Sequence, residues 1–220
     1  MLDAIEITTG PKPRLAVLWL HGLGADGHDF EPIVPELEVS FAVRFVFPHA
    51  PVRPVTINGG MAMRAWYDIL GFDRRAKEDA VGIRASAAAV TELVDREIER
   101  GMRSDRVVLA GFSQGGAIAL HAALRDSRPL AGVLALSTYL PLAETLASER
   151  SAANATIPLF MAHGTDDTVL PFELADSSRS TLEALGYVVD WHAYPIAHSV
   201  CLEEVRAIGA WLDTLPAARG

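Results

Sequence analysis

The stretch VVLAGFSQGGAIALHAAL, Val107 to Leu124, changes character at Phe112. Before it runs a continuous apolar, β-branched segment of strand length. After Ser113 the residues are helix formers: alanine, leucine and isoleucine behind a pair of glycines. Nearly uniform apolarity is what a parallel strand needs when both of its faces are covered. The join between the two halves carries G-x-S-x-G, Gly111 to Gly115. A sharp strand-to-helix turn of this composition projects a serine oxygen into the open, and the two glycines remove side chains that would meet neighbouring backbone. An ordinary serine in a Gly-rich turn has the same letters, so the surroundings must decide.

Outward from this point, similar short apolar runs recur: LAVLWL (Leu15–Leu20), VRFVFP (Val43–Pro48), GVLALS (Gly132–Ser137), PLFMAH (Pro158–His163) and YVVDWHAY (Tyr187–Tyr194). Helical patterns lie between them. Ile83, Ala87, Val90, Val94 and Ile98 make one apolar stripe, and Gly101 supplies a stop. Further helices are expected at about Gln114–Arg125, Phe172–Leu185 and Val200–Leu215, with IEIT near the start as an edge strand. Strand–helix alternation predicts an α/β fold: a mostly parallel central sheet with helices on both faces. No repeat or linker divides the chain, so residues 1–220 are expected to form one domain. Ala50 to Asp79, rich in Pro, Gly, Met and aromatics, reads as a long excursion of the functional kind.

Bulk properties narrow the function. Of 220 residues, 28 are acidic and 19 basic, a formal charge of -9. No basic surplus exists to displace counterions from a phosphate backbone, which argues against nucleic-acid binding. One cysteine, Cys201, permits no internal disulfide. The first residues have neither a basic region nor a signal-length apolar stretch, and the longest strongly apolar run is far too short to cross a bilayer. The expectation is a cytoplasmic protein without a transmembrane segment.

A serine hydroxyl is a weak nucleophile until a base takes its proton, and the base must be oriented by a third group. In a parallel sheet both partners belong on loops at the strands' C-terminal ends, in the order Ser, acid, His. After PLFMAH comes HGTDDTVLP; after YVVDWHAY comes PIAHSV. The acid is therefore Asp166 or Asp167, with the other free to cap the turn, and the base is His198. His163 and His192 fall at or inside strands, where packing roles are expected, and His121 lies mid-helix among apolar residues. His28 and His49 are in loops without an evident partner. An oxyanion hole needs two N–H donors. Gln114, just after the serine, is one; Leu23, in the Gly-rich turn HGLGADGHDF after the first apolar run, is the other. Asp29 in that turn also suits a helix N-cap. His163, Asp166 and Asp167 are close in sequence, but no HExxH or cysteine cluster exists, so no metal is expected. Cys201 reads as a helix residue.

Taken together, LHGLGADGHDF, FPHAP, MRAWYD, GFSQGG, HGTDDTVLP and AHSV resemble the carboxylesterase and acyl-protein thioesterase family of α/β-hydrolases. The blocks run from Leu20 to Val200, nearly the whole chain. The resemblance implies an α/β-hydrolase fold with a minimal lid, and hydrolysis of esters or thioesters by a Ser-Asp-His triad without a cofactor. Position by position, Ser113 matches the nucleophile and His198 the base. The pattern H-G-x-x-D-x-x-V-P places the acid on Asp167, with Leu170 standing where the pattern has Val. Leu23 and Gln114 match the oxyanion positions. Ala25 departs from those members that have Asp directly after HGLG. The excursion matches the segment bordering the acyl site, which makes Met61, Met63, Trp66, Ile69, Leu70 and Phe72 candidates for an acyl surface, with substrate contact assigned to Trp66, Leu70, Met63 and Leu170. Arg74 to Asp79 reads as a solvated turn. The implied substrate is a small acyl ester or thioester, a lysophospholipid or an acylated protein, and a homodimer is among the expectations because related enzymes can self-associate. Two other classes keep the same fold: an acyltransferase or peptidase, and a ligand-binding module with little turnover. An aligned base argues against the module, which has no use for one.

Overall fold

The computed structural model describes residues 2–71 and 78–215. Phe72 and the turn from Arg74 therefore lie outside the described residues, apart from Glu78 and Asp79. In chain order the elements are β1 (Ala4–Thr8), β2 (Leu15–Leu20), β3 (Val43–Pro48), β4 (Val52–Val55), β5 (Met61–Arg64), α1 (Ala80–Glu99), β6 (Val107–Phe112), α2 (Gln114–Arg125), β7 (Gly132–Leu136), α3 (Ala143–Glu149), β8 (Leu159–Gly164), α4 (Phe172–Ala184), β9 (Val189–Tyr194) and α5 (Leu202–Thr214).

Seven strands form one sheet in the order β1-β3-β2-β6-β7-β8-β9. β1 is antiparallel to β3, and every other pairing in the sheet is parallel. Period-two alternation sorts β2 between two cores: Ala16, Leu18 and Leu20 face one layer, and Leu15, Val17 and Trp19 face the other. The first layer holds the stripe Ile83, Val90 and Val94 of α1, much of α2, Leu146 of α3 and Leu182 of α4. The second holds Val205, Ile208, Trp211 and Leu212 of α5 with Leu37 from a 3-10 helix at Glu31–Leu37. All six residues of β2 are buried, which is why that strand shows no polar alternation.

The expected strands and helices are present with ends shifted by up to two residues, and IEIT is the antiparallel edge strand. The excursion is more ordered than its composition indicates. Val52–Val55 pairs with Met61–Arg64 as a two-stranded hairpin outside the main sheet. Its turn uses Gly59 and Gly60, at φ +66° and +79°. Thr56 N–H and Oγ1 donate to Asp68 at 2.7 and 2.6 Å, and Asp68 N–H donates to Asp79, which also caps α1 through Gly82 N–H. The short α3 was not expected either: ETLASE is too brief for a periodic signal. Asp29 is not a helix N-cap. Its N–H closes a turn onto Asp26 O, and the 3-10 helix starts one residue later, behind Phe30 without a side-chain cap.

The sheet fixes where α2 begins, and the fit is tight. A Cβ on Gly115 would meet Leu20 O and His21 O, and one on Gly111 would meet the Gly115 carbonyl. These are backbone contacts, which cannot swing aside as a side chain can. Gly115→Ala is expected to cost about 1–3 kcal/mol by overpacking, read as a fall in Tm of roughly 2–12 °C in thermal unfolding. An unchanged Tm would mean that α2 is free to move off β2.

Candidate active site

Ser113 sits between β6 and α2 with φ 54° and ψ -120°. Such a conformation costs a non-glycine residue of order 1–3 kcal/mol, and it persists only where the surroundings hold it. They do: Ser113 N–H donates to Leu136 O at 2.8 Å, and Thr138 Oγ1 donates to Ser113 O at 2.6 Å. The side chain stays partly exposed at the C-terminal end of the sheet.

β8 and β9 deliver the two partners. His198 Nε2 lies 3.0 Å from Ser113 Oγ, and His198 Nδ1 lies 2.6 Å from Asp167 Oδ2. The Phe112 ring packs on the imidazole, centroid to centroid 4.8 Å. Asp167 has a fully buried side chain, yet its carboxylate is well supplied with donors. Oδ1 accepts Val169 N–H and Leu170 N–H at 2.8 Å each, and Oδ2 faces His163 Nε2 at 3.4 Å as well as His198. A buried carboxylate survives in this state because its oxygens are satisfied. Asp166 is exposed; its backbone N–H bonds to Ile196 O and its side chain reaches only Thr165 Oγ1 at 3.5 Å. Of the two adjacent acids, Asp167 alone touches the histidine, and it also makes the turn bonds that were expected of its neighbour. The two loops are locked together at Gly164, where a Cβ would meet Ile196 O and Ala197 O.

The Gly-rich turn after β2 reaches the same place. A Cβ on Gly22 would lie 3.6 Å from Ser113 Cβ. Among the described residues no turn or loop bond engages Leu23 N–H or Gln114 N–H. Gln114 N–H is in the first turn of α2, where no intrahelical carbonyl is available. The Gln114 side chain turns the other way: Oε1 accepts Trp66 N–H at 2.7 Å and Nε2 donates to Tyr67 O at 2.8 Å.

That network corrects the assignment of Trp66 to an acyl surface. Trp66 is fully buried, its indole N–H donates to His21 O at 2.9 Å, and its carbonyl accepts from Ser86 Oγ. It anchors the excursion to the core. Met63 and Leu170 are half-buried and Leu70 is exposed. Met63 Sδ stands beside Gly24 of the Gly-rich turn, so the hairpin borders the site.

The remaining histidines are structural by position. His163 ends β8, bonded to Leu170 O at 2.9 Å, and burial pushes its basicity down. His192 lies in β9, stacked on Phe160. His121 is buried in α2, with burial lowering its pKa to about 4. His28 pairs with Glu31, and His49 accepts Gly27 N–H. Among the described residues no cluster of His, Cys, Asp or Glu is placed to hold a metal. Cys201 is the N-cap of α5, not a residue within it. His21, buried directly behind the Gly-rich turn, was not among the expected site residues; a lone histidine after an apolar strand carries no spacing signal.

A serine on a sharp strand-to-helix turn, in hydrogen-bond line with an imidazole and a carboxylate at the C-terminal edge of a mostly parallel sheet, is the arrangement of an α/β-hydrolase. The family model for Phospholipase/Carboxylesterase matches residues 3–215. The chain is 41% identical over 212 residues to acyl-protein thioesterase 1 of Neurospora crassa, covering 91% of this chain and 86% of that one. Acyl-protein thioesterase 1 of Mycosarcoma maydis is 37% identical, covering 95% and 94%. Among solved structures, Arabidopsis thaliana SOBER1 superposes with a TM-score of 0.85 at 32% identity, covering 90% of this chain and 97% of that one. Zea mays acyl-protein thioesterase 2 gives 0.83 at 30%, covering 94% and 97%. This chain belongs to the phospholipase/carboxylesterase family and is a hydrolase of the esterase and thioesterase class. No helix among the described residues is long and apolar enough to cross a membrane.

Behind the histidine loop, α5 opens at Cys201, its N-cap, which makes no side-chain capping bond, and Glu204 stands three residues on. Glu204 is buried and its Oε1 has no partner, so desolvation raises its pKa to about 8. In the unfolded chain it titrates near 4.5. The folded state therefore holds this proton across the window between those values, and stability falls as pH rises through it. Glu204→Gln should flatten that decline, with the Tm gap over wild type widening from pH 5 to pH 8. Parallel Tm–pH curves for the two proteins would show that Glu204 is ionised throughout.

Proposed function

We propose that residues 1–220 act as one catalytic domain, a serine hydrolase of acyl esters and thioesters working through an acyl-enzyme. The observation that carries this reading is the chain of hydrogen bonds Ser113–His198–Asp167 at 3.0 and 2.6 Å. Both Asp167 oxygens are acceptors, so His198 Nδ1 carries the proton and Nε2 is left to receive one from Ser113 Oγ. Ser113 attacks the acyl carbonyl as its proton moves to Nε2, and Asp167 stabilises the imidazolium. Leu23 N–H and Gln114 N–H receive the charge that develops on the carbonyl oxygen. The Nε2 proton then passes to the departing alcohol oxygen or thiol sulfur. Water repeats the sequence on the acyl-enzyme, giving the carboxylic acid and restoring Ser113.

The relatives are named for acyl-protein thioesters, which favours a thioester-linked acyl group as substrate. Met63 and Leu70 on the excursion, with Leu170 on the turn that carries Asp167, supply apolar surface for the chain. A long acyl group gains about 0.8 kcal/mol per methylene it buries, so the preferred length measures that surface.

Initial rates with p-nitrophenyl esters of increasing length, and thiol release from acyl thioesters, test the scheme. Ser113→Ala and His198→Ala should each lower kcat by roughly 10⁴-fold or more, and Asp167→Asn by roughly 10⁴-fold. Asp166→Asn should leave kcat within about threefold, since its side chain touches no other member of the site. The reverse ranking of the two aspartates would move the acid to Asp166.

A further inference from the structure

We infer that His21 is a positioning residue that aims Leu23 N–H at the reaction centre, an inference resting on the proposed roles of Ser113 and Leu23. The ring of His21 is buried and both of its nitrogens are engaged. Nε2 lies 3.0 Å from Ala50 N–H, a donor, so Nε2 must accept. Nδ1 lies 2.7 Å from Gly22 O, an acceptor, so Nδ1 must donate. One neutral tautomer satisfies both bonds, and the surroundings select it. Burial acts in the same direction by disfavouring the charged ring.

The consequence follows from peptide geometry. Gly22 O and Leu23 N–H belong to one planar trans unit, in which C=O and N–H point in opposite directions. A short bond that captures Gly22 O from one side therefore turns Leu23 N–H toward the other. Gly22 has no side chain to oppose rotation of this unit, and it passes beside Ser113. Ala25 N–H also donates to Gly22 O, at 3.3 Å, so losing the 2.7 Å His21 bond leaves the unit held by its longer contact and loosens the aim of Leu23 N–H. The ring is itself held by Ala50 N–H on Nε2 and by the Trp66 ring at 5.4 Å, and the Trp66 indole N–H holds the His21 backbone carbonyl. Trp66 is in turn bonded to Gln114, whose own N–H is the second oxyanion donor. The side chain of Gln114 and the carbonyl of His21 thus meet at the same buried tryptophan, and His21 is the link to Leu23. It touches no reacting atom.

The test separates aim from mere integrity of the site. The full chain and its His21→Ala, His21→Asn and His21→Gln variants are compared by kcat and KM on a p-nitrophenyl ester. They are also compared by affinity for two inhibitors of matched chain. One is a trifluoromethyl ketone, which adds Ser113 Oγ to its carbonyl carbon, passes the proton to His198 and leaves an oxyanion. The other is an unreactive ether that makes none. Asn places an N–H near the Nδ1 position, whereas Gln reaches the Nε2 position and leaves Gly22 O with the longer Ala25 N–H bond. His21→Ala should lower kcat roughly 10²–10³-fold, the range for losing one oxyanion donor, with KM within about threefold. Ketone affinity should fall along with kcat while ether affinity holds, and His21→Asn should recover at least tenfold over His21→Ala. Should His21→Ala not fold, the order Asn above Gln in kcat supports the inference on its own. Near-wild-type kcat in a folded His21→Ala, equal loss of ketone and ether affinity, or Gln outperforming Asn would each overturn it. Wild-type protein lacking any turnover that Ser113→Ala abolishes would instead overturn the parent reading, which keeps the two failures apart.

Discussion

The close crossing of α2 over the end of β2 is the constraint on which the remainder of the site depends. Gly115 lies against Leu20 O and His21 O, and Gly111 against the Gly115 carbonyl. This contact leaves the chain no room to leave β6 gradually. Ser113 must take its left-handed conformation because the helix has to start at once. The strain is held by bonds on both sides of the residue, to Leu136 O and from Thr138. The same crossing brings the Gly-rich turn beside Ser113, so one packing contact sets the serine and the turn together.

Asp167 and His198 are brought together by a second contact of the same kind. Gly164 permits the backbone of Ile196 and Ala197 to approach, and Asp166 N–H bonds across to Ile196 O. The loops after β8 and β9 are therefore joined backbone to backbone. Burial of Asp167 is costly in isolation, but four donors surround its two oxygens. Two are backbone N–H groups of its own turn, which come at no cost in side-chain entropy. The carboxylate is fixed before any substrate arrives, and this pre-organisation is what a group that orients an imidazole requires.

The strands and helices were legible because both faces of the sheet are covered. Continuous apolar runs such as LAVLWL and VVLAGF are the direct imprint of two cores, and the α1 stripe is the imprint of one. The meeting of Ser113 and His198 was legible because topology gathers the loops at strand C-termini, so order along the chain substitutes for distance. Spacing alone left Asp166 and Asp167 equal, because adjacent residues on a turn point to different sides; the family pattern pointed to Asp167, the residue whose carboxylate bonds His198 Nδ1. Trp66 misled because an aromatic in a Pro- and Gly-rich segment has the same letters as a surface contact. Its burial arises from Gln114, His21 and Ser86, all distant in sequence. The hairpin of the excursion was hidden for a related reason. Its four-residue strands contain Pro54 and Arg53, and their pairing is held by Asp68 and Asp79 outside the hairpin.

Gln114 shows how closely fold and chemistry share residues here. Its backbone N–H is left open by the helix start, while its side chain binds both Trp66 N–H and Tyr67 O, closing the excursion onto the elbow. A leucine or methionine would fill similar volume and keep the backbone donor, but would strand a buried N–H and a buried C=O, each costing about 1–3 kcal/mol. A glutamate would supply the acceptor and lose the donor. An amide is the side chain that meets a buried donor and a buried acceptor on adjacent residues without charge. The glutamine following the serine is thus dictated by the excursion behind it, and the residue that ties down Trp66 and Tyr67 is the one whose backbone N–H stays open at the helix start.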